Sequence, residues 1–191
     1  LSLKHKTFAS KKSYNNIFGV PLEILNIPLD SEYGIFEIGM NQRNEIAKLT
    51  KILMPEIVCI LNVNYVHGGN FQTLKEIALA KSEITNSSNG VTHVILNNDC
   101  KFYNFIKNQS KINYDKDIIS FGGNKNSNIK LCSKIIKNKN YNLKVSLKKN
   151  TFINYQIKKD FEYLISNSLA ILACFQALGV NPNYIKKYKI F

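Results

Sequence analysis

The sequence predicts an α/β domain with a mostly parallel sheet flanked by helices, and a smaller strand region in its C-terminal half. Two observations predict the parallel sheet. Short apolar runs alternate with amphipathic helical patterns over residues 33–96, and polar residues follow the ends of these runs. Such alternation gives right-handed βαβ units. A third observation, the period-two pattern from residue 129 onwards, predicts strands compatible with antiparallel pairing.

The N-terminal half is predicted to contain three strands and two helices. Residues 1–21 are expected to form the end of a helix followed by a polar loop. Asn44 is expected to cap the first helix, and Thr73 with Glu76 the second. We predict strands at 33–38, 56–61 and 91–96, and helices at 44–53 and 73–87.

The pattern weakens beyond residue 96, and the predictions there are shorter. Residues 117–121 are expected to form one further strand before a loop at 122–128. Gly179 is expected to end the last helix in the left-handed conformation. Alternating strands are predicted at 129–137, 141–147 and 152–157, and a helix at 167–178.

The charge and hydrophobicity of the chain limit its possible functions. Its net charge is +13, from 26 basic and 13 acidic residues, and nearly all of the basic residues are lysines spread along the sequence. One interpretation is attraction to a polyanion such as nucleic acid. The favoured interpretation is compositional bias together with a nucleotide substrate. No apolar run approaches the roughly 20 residues that cross a bilayer, so a cytoplasmic location is expected.

The four cysteines are widely separated, at positions 59, 100, 132 and 174. No CxxC pair or Cys/His cluster is present, which argues against a zinc site or a disulfide framework. Three of the four lie in apolar runs, and buried free thiols are therefore predicted.

Glu37 and His67 are candidate metal ligands because Glu37 stands at the carboxyl end of one predicted strand and His67 follows the next. Open α/β sheets bind ligands beyond the carboxyl ends of their strands, and a carboxylate there suits Mg²⁺. His67 stands beside Gly68 and Gly69 in a loop that could bind metal or phosphate. The alternatives are a solvated or ion-paired Glu37 and a merely exposed His67.

Lys81 is an outlier because it lies on the apolar stripe of the second predicted helix. A lysine there must extend its amine to solvent, pair with an acid such as Glu83 or Glu37, or lose its charge. Desolvation lowers a lysine pKa and leaves an amine that can react covalently. The residues alone favour the first two outcomes. The chain contains no GxxxxGK[ST] phosphate loop.

Seven segments, taken in order, resemble the central domain of the Mur ligases. The resemblance extends over nearly the whole chain, and its P-loop-like ATPase fold agrees with the predicted parallel sheet. The segments are 15–21, 37–41 with 45–46, Asn62 with His67, Phe71, 80–84, 97–99, and 167–170 up to Gly179.

The resemblance implies ATP and Mg²⁺ as cofactors. It implies Glu37 and His67 as Mg²⁺ ligands. It further implies that Lys81 reacts with CO₂, so that its amine becomes a carbamate and a third metal ligand. The metal would neutralise charge on the transferred phosphoryl group.

Five asparagines receive roles by the same resemblance. Asn15 and Asn16 would lie near the reacting carboxylate, as catalytic residues, and Asn41 near the incoming substrate. Asn167 would contact adenine, and Asn62 would also bind the cofactor.

The resemblance is strongest to the branch that acts on UDP-N-acetylmuramoyl-tripeptide and D-alanyl-D-alanine in peptidoglycan synthesis. It implies an acyl-phosphate intermediate, a central domain at residues 1–180 that lacks its phosphate loop, and a connection to a C-terminal domain at 181–191. The chain is then expected to be inactive alone and monomeric in full-length form.

Three positions depart from the pattern of the family. Gln42 replaces a usual His, Asn44 a usual Gly, and 161–163 a usual Gly-x-His. Two other interpretations stay open. One is a non-catalytic basic domain that binds nucleic acid or an acidic partner, and the other is a related ligase that acts on folate and glutamate.

Overall fold

The computed structural model describes residues 1–11, 14–65, 70–87, 89–111, 116–147 and 151–187. The strands in these ranges form a two-stranded sheet and a six-stranded sheet. Helices pack against the larger sheet, so the predicted α/β class, mostly parallel with an antiparallel region, is confirmed. Within the described residues, no helix combines the length and the hydrophobicity that crossing a bilayer requires.

The small sheet lies in the N-terminal region, where the predicted helix end is wrong, whereas residues 10–11 and 14–18 lie outside helices and strands, as the predicted polar loop requires. Strand β1 (Thr7–Ala9) pairs in parallel with β2 (Tyr33–Ile35), and helix α1 (Gly19–Leu25) lies between them in sequence. A three-residue strand is too short to show a period. Pro21 is compatible with α1 because it lies in the first turn, where its missing N–H costs no helical hydrogen bond.

The larger sheet has its six strands in chain order, which confirms each strand predicted from residue 56 onwards. The first four strands pair in parallel. The fourth strand also begins an antiparallel meander with the last two. The strands are β3 (Ile57–Ile60), β4 (His93–Asn97), β5 (Asp117–Gly122), β6 (Ile129–Lys137), β7 (Asn140–Ser146) and β8 (Phe152–Lys158).

The step from β5 to β6 shapes the carboxyl edge of this sheet. The two strands are parallel, yet only Phe121 and Gly122 at the end of β5 pair with Ile129 and Lys130 at the start of β6. The remainder of β6 therefore extends beyond the end of β5. The β6–β7 hairpin consequently stands above the carboxyl edge of the parallel strands.

The described residues contain four further α-helices. They are α2 (Glu45–Leu53), α3 (Leu74–Asn86), α4 (Tyr103–Ser110) and α5 (Leu164–Ala177). Helices α3, α4 and α5 contact the larger sheet and α2 contacts α3; α4 was not predicted. Helix α5 starts three residues before its predicted first residue, 167. Gly179 follows α5 with φ +65°, as predicted for the residue that ends it.

The predicted caps of α2 and α3 have different outcomes. Thr73 Oγ1 accepts the Glu76 N–H at 3.2 Å, which confirms Thr73 as the cap of α3. Asn44 has φ +68° and makes no side-chain cap, so its predicted role is wrong. The Glu83 carboxylate replaces it, accepting the N–H groups of Asn44 at 2.9 Å and Ala47 at 3.2 Å.

Two hydrophobic clusters form the core, one for each face of the large sheet. Helix α5 packs in the cluster that includes Phe121, Leu143 and Ile157. Helices α3 and α4 pack in the other cluster, where Ile77 and Ile106 meet residues of β3 and β4. The carboxyl edge of the parallel strands is thus fixed from both sides.

Candidate functional site

Lys81 lies at the carboxyl edge of the large sheet, where α3 passes the end of β3. Its Nζ donates a hydrogen bond of 2.7 Å to the backbone oxygen of Asn62. The side chain is half-buried, and this desolvation lowers the pKa of Lys81, against a smaller opposing effect of the Cys100 thiol.

No acid in the described part of the chain forms an ion pair with Lys81. Glu83, one of its two predicted partners, uses its carboxylate at the start of α2. Glu37, the other, accepts a hydrogen bond from Asn15. Lys81 is therefore partly buried, and its acceptor is a neutral oxygen rather than a carboxylate. Because burial disfavours the charged form, the uncharged amine is more favoured here than in an exposed lysine.

Asn97, the last residue of β4, fixes the position of Asn62. Its Nδ2 donates to Asn62 Oδ1 at 2.9 Å and to the backbone oxygen of Leu61 at 3.0 Å. Asn97 is only 8% exposed. Sequence reasoning gave Asn97 no separate role, although an amide at the end of a buried strand was the available signal.

Asp99 organises the next loop of the edge through its carboxylate. The two oxygens accept the N–H groups of Gly123 at 2.6 Å and Asn124 at 2.9 Å. Gly122 has φ +144°, and a Cβ there would lie 2.6 Å from Asp99 Oδ2. The N–H groups of this glycine loop thus already bind an anion from within the chain, so the loop is not a free phosphate cradle.

Glu37 and Asn15 form a second group of site residues, next to the small sheet. Asn15 Nδ2 donates to Glu37 Oε1 at 2.8 Å, and the Gly39 N–H donates to the Asn15 backbone oxygen at 2.7 Å. The Glu37 N–H donates to Ser10 Oγ at 3.2 Å. Glu37 is exposed and held from two sides, so its oxygen chemistry suits a hard cation such as Mg²⁺.

Asn16 and Asn41 occupy turns beside this group. Asn16 Oδ1 accepts the N–H groups of Phe18 at 3.0 Å and Gly19 at 2.9 Å, and it thereby shapes the start of α1. Asn41 is exposed, and its N–H donates to Glu45 at 2.6 Å.

The remaining two predicted residues are His67 and Asn167. His67 lies outside the described residues. Asn167 is half-buried in the first turn of α5. Ser166, its neighbour, lines a 250 Å³ cavity together with Asp99 and Gly123.

The β6–β7 hairpin closes one side of this cavity through Glu162. The Glu162 carboxylate forms an ion pair with Lys134 and accepts a hydrogen bond of 2.8 Å from the Tyr141 hydroxyl. These contacts lower the pKa of Glu162. Glu162 is one of the positions that depart from the family pattern.

The described contacts therefore bring the site residues together as two groups. One contains Lys81, Asn62 and Asn97, and the other contains Asn15 and Glu37. Within the described residues, no cluster of three histidine, cysteine or carboxylate side chains is placed to hold a metal.

Comparison with known proteins gives a family match and several curated relatives. A family model for the Mur ligase middle domain matches residues 1–175. The UDP-N-acetylmuramoyl-tripeptide–D-alanyl-D-alanine ligase of Rickettsia prowazekii is 34% identical over 188 residues, which are 95% of this chain and 40% of the relative. The ligase of the same name from Buchnera aphidicola subsp. Acyrthosiphon pisum is 31% identical, covering 96% of this chain and 39% of the relative.

Solved structures show the same likeness in three dimensions. MurF from Acinetobacter baumannii superposes with a TM-score of 0.86 at 26% identity, covering 98% of this chain and 40% of that one. MurF from Thermotoga maritima in complex with ADP gives a TM-score of 0.85 at 21% identity, covering 100% and 44%. The chain thus spans about 40% of the length of the curated relatives named above.

Proposed function

The chain belongs to the Mur ligase family, and on this premise we propose that it is the ATP-binding part of a ligase that joins D-alanyl-D-alanine to UDP-N-acetylmuramoyl-tripeptide. The names of the curated relatives support this choice over a ligase acting on folate. The observation that carries the proposal is Lys81, a half-buried lysine without an acid partner in the described chain, at the carboxyl edge of the sheet. Residues 1–180 would form the domain, and 181–191 its connection onward.

The proposed reaction forms an amide in two steps. ATP phosphorylates the terminal carboxylate of the tripeptide, and ADP leaves. The amine of D-alanyl-D-alanine then attacks the acyl phosphate, and the tetrahedral intermediate expels phosphate and loses a proton. Mg²⁺, when bound, would neutralise charge on the transferred phosphoryl group.

Lys81 would take part as a carbamate. Its neutral amine adds to CO₂ and releases one proton, which replaces a cation by a carboxylate-like group. The lowered pKa of Lys81 supports this step, because only the unprotonated amine reacts. With Glu37 and His67, the carbamate would hold Mg²⁺, and the hydrogen bond from Asn15 would orient the Glu37 carboxylate.

The asparagines would bind substrates through the groups that the fold leaves available. Asn62 Oδ1 and Asn16 Oδ1 are engaged within the chain, so each residue would offer its Nδ2 donor. Asn62 and Asn167 would contact the nucleotide, and Asn15 and Asn16 the reacting carboxylate. Asn41 would meet D-alanyl-D-alanine.

The experiment that tests this function detects the carbamate on Lys81. The protein is equilibrated with ¹³C-labelled bicarbonate and its carbamate signal is recorded by ¹³C NMR. We expect a signal from the wild type and from Lys75→Ala, since Lys75 is an exposed lysine of the same helix. We expect none from Lys81→Ala. If the wild type gives no signal at any pH up to the pKa of free lysine, Lys81 is not the residue that forms a carbamate.

Catalysis is tested on a chimera that joins these 191 residues to the parts of a relative that they do not match. Because the chain spans about 40% of those relatives, we expect no ligase turnover from it alone. In a chimera that supplies the remaining 60% from the Rickettsia relative, we expect Mg²⁺-dependent phosphate release, lost in Lys81→Ala and kept in Lys75→Ala. If phosphate is released without D-alanyl-D-alanine, and at the same rate when it is added, D-alanyl-D-alanine is not the amine that attacks the acyl phosphate.

A non-catalytic basic domain is the second candidate, and the net charge of +13 favours it. Such a domain would bind DNA or RNA with an affinity that falls steeply with salt. We instead expect only weak binding at physiological salt, measured by fluorescence anisotropy over a salt series. A tight complex with a steep log–log slope would support the second candidate.

A further inference from the structure

A second polar cavity lies at the carboxyl edge, between the β4–α4 loop and the β5–β6 loop. Its volume is about 350 Å³, within the range of roughly 300–1,000 Å³ that is usual for small-molecule sites. Asparagines and lysines provide most of its lining, chiefly Asn98, Lys101, Asn104, Lys107, Asn124 and Asn126.

The charge of this cavity is positive and is not compensated by its own lining. Lys101 and Lys107 line it, and none of the described residues that line it is a carboxylate. Asp99 lies in sequence between the lining residues Asn98 and Cys100, and its two carboxylate oxygens accept the N–H groups of Gly123 and Asn124. An anion in the cavity would therefore meet two cations without a competing acid from the lining.

The orientation of Asn124 and the position of Lys107 favour donation of hydrogen bonds into the cavity. Asn124 Oδ1 accepts the Asn126 N–H at 3.1 Å, so the free polar group of Asn124 is its amide nitrogen. Lys107 Nζ lies 5.6 Å from the centre of the Tyr103 ring, which holds the ammonium group beside the cavity. The Asn98 side chain is fixed by a 3.1 Å hydrogen bond to Ser127 Oγ.

We propose that this cavity binds a small, multiply charged anion of the phosphate class. The two ammonium groups and the Asn124 amide nitrogen offer donors to such a ligand, and charge-assisted hydrogen bonds from lysine are the strong ones. The ligand is either free inorganic phosphate or pyrophosphate, or the phosphate group of a small metabolite. The site is independent of the proposed ligase reaction, although Cys100 both lines the cavity and acts on the pKa of Lys81.

The test titrates pyrophosphate into the 191-residue protein by calorimetry at constant ionic strength. We expect Lys101→Gln/Lys107→Gln to weaken binding about tenfold or more, since the variant removes both charge-assisted hydrogen bonds from lysine to the anion. The matched control is Lys125→Gln, which removes a lysine from the same β5–β6 loop outside the cavity lining. This control should change the affinity less than about twofold.

Asn124→Asp provides a variant that keeps the fold. An aspartate retains the oxygen that accepts the Asn126 N–H, but it places a negative charge in the cavity. We expect its melting temperature to match the wild type and its pyrophosphate affinity to fall. Unchanged affinity in Asn124→Asp, or an equal loss in Lys125→Gln, would overturn the proposal.

NMR shift mapping locates the bound anion and separates its two sources. Pyrophosphate should shift the side-chain amides of Asn98, Asn104 and Asn124. Shifts centred on Asn62 would assign it to the nucleotide site and overturn the proposal, as would no binding by the wild type. AMP and inorganic phosphate form the other arms: stronger binding of AMP identifies a phosphorylated metabolite, and equal or weaker binding identifies the free anion.

Discussion

At the scale of single residues, two lysines show how the same side chain is placed differently near the core. Lys116 is 5% exposed, and its Nζ contacts the Thr85 backbone oxygen and Asn86 Oδ1 at the end of α3. A cation is favoured there by the helix dipole. Lys81 donates to a single backbone oxygen beyond a strand end and has no comparable support. Burial lowers the pKa of both, but only Lys81 lies among the residues of the candidate site.

Carbamate formation at Lys81 should follow pH with a defined sign. Since its pKa is lowered, the neutral amine is present at a lower pH than in an exposed lysine such as Lys75. We expect the ¹³C carbamate signal to grow as pH rises through the pKa of Lys81 and to be complete below the ordinary lysine range. A signal that appears only as Lys75 also titrates would contradict this.

The same lowered pKa has a consequence for stability. The unfolded chain binds more protons than the folded chain between the folded and unfolded pKa of Lys81, so stability rises with pH across that window. Lys81→Met removes this dependence. We expect urea denaturation to show a flatter pH profile for Lys81→Met than for Lys75→Met. Identical profiles would show that Lys81 titrates alike in both states.

A substitution at Gly122 tests whether the Asp99 carboxylate fixes the loop between β5 and β6. Gly122→Ala places a Cβ 2.6 Å from Asp99 Oδ2 at φ +144°, and we expect a loss of about 1–3 kcal/mol in the free energy of unfolding. Gly123→Ala is the control, because its Cβ would lie at an ordinary 3.7 Å from that oxygen. Denaturant titration measures both, and equal losses would show that the carboxylate contact is not the cause.

At the scale of elements, α2 and α3 are joined by the Glu83 carboxylate rather than by a local cap. A charged acceptor at a helix N-terminus is favourable, and here it comes from 36 to 39 residues away in sequence. We expect Glu83→Gln to lower the free energy of unfolding by about 1 kcal/mol at neutral pH. Asp160→Asn, which changes an exposed acid outside these helices, should have little effect. Equal values from denaturation would contradict the role of Glu83.

Elements with a clear period were predictable from the sequence, and the others were not. Strands β6 and β8 and helices α2 and α3 have continuous patterns and were found within one or two residues of their ends. Helix α4 was missed because its eight residues are mostly polar and only Ile106 and Ser110 are buried. The prediction that Asn44 caps α2 was wrong because the Glu83 carboxylate, which is distant in sequence, accepts the N–H groups at the start of this helix.

The sequence indicated candidate residues for the site, whose roles stay predictions, and it did not indicate their contacts. A strand end indicated Glu37, because open sheets bind ligands there, and its place on the apolar stripe of a helix indicated Lys81. The bond from Asn97 to Asn62 and that from Asn15 to Glu37 span 35 and 22 residues of sequence, and no local pattern encodes such partners. The roles of Glu37, His67 and the asparagines stay predictions.

At the scale of the whole molecule, apolar residues around α1 are exposed although the two main clusters are well buried. Leu25 is 82% exposed, and Leu29 is fully exposed. Exposed apolar patches promote association. We expect Leu25→Gln/Leu29→Gln to reduce self-association in light scattering without loss of stability. Ile135→Gln/Ile136→Gln, on the β6–β7 hairpin, is the control for a general gain in polarity; an equal reduction in both variants would contradict a specific role for α1.

The staggered start of β6 affects how molecules reach the floor formed by the ends of β3, β4 and β5. The hairpin makes a wall on one flank, which Lys134 and Glu162 connect to the start of α5. A large molecule resting on this floor would have to extend away from the wall, in the direction of β3 and α3. An elongated ligand would thus be oriented by sterics before any side chain contacts it.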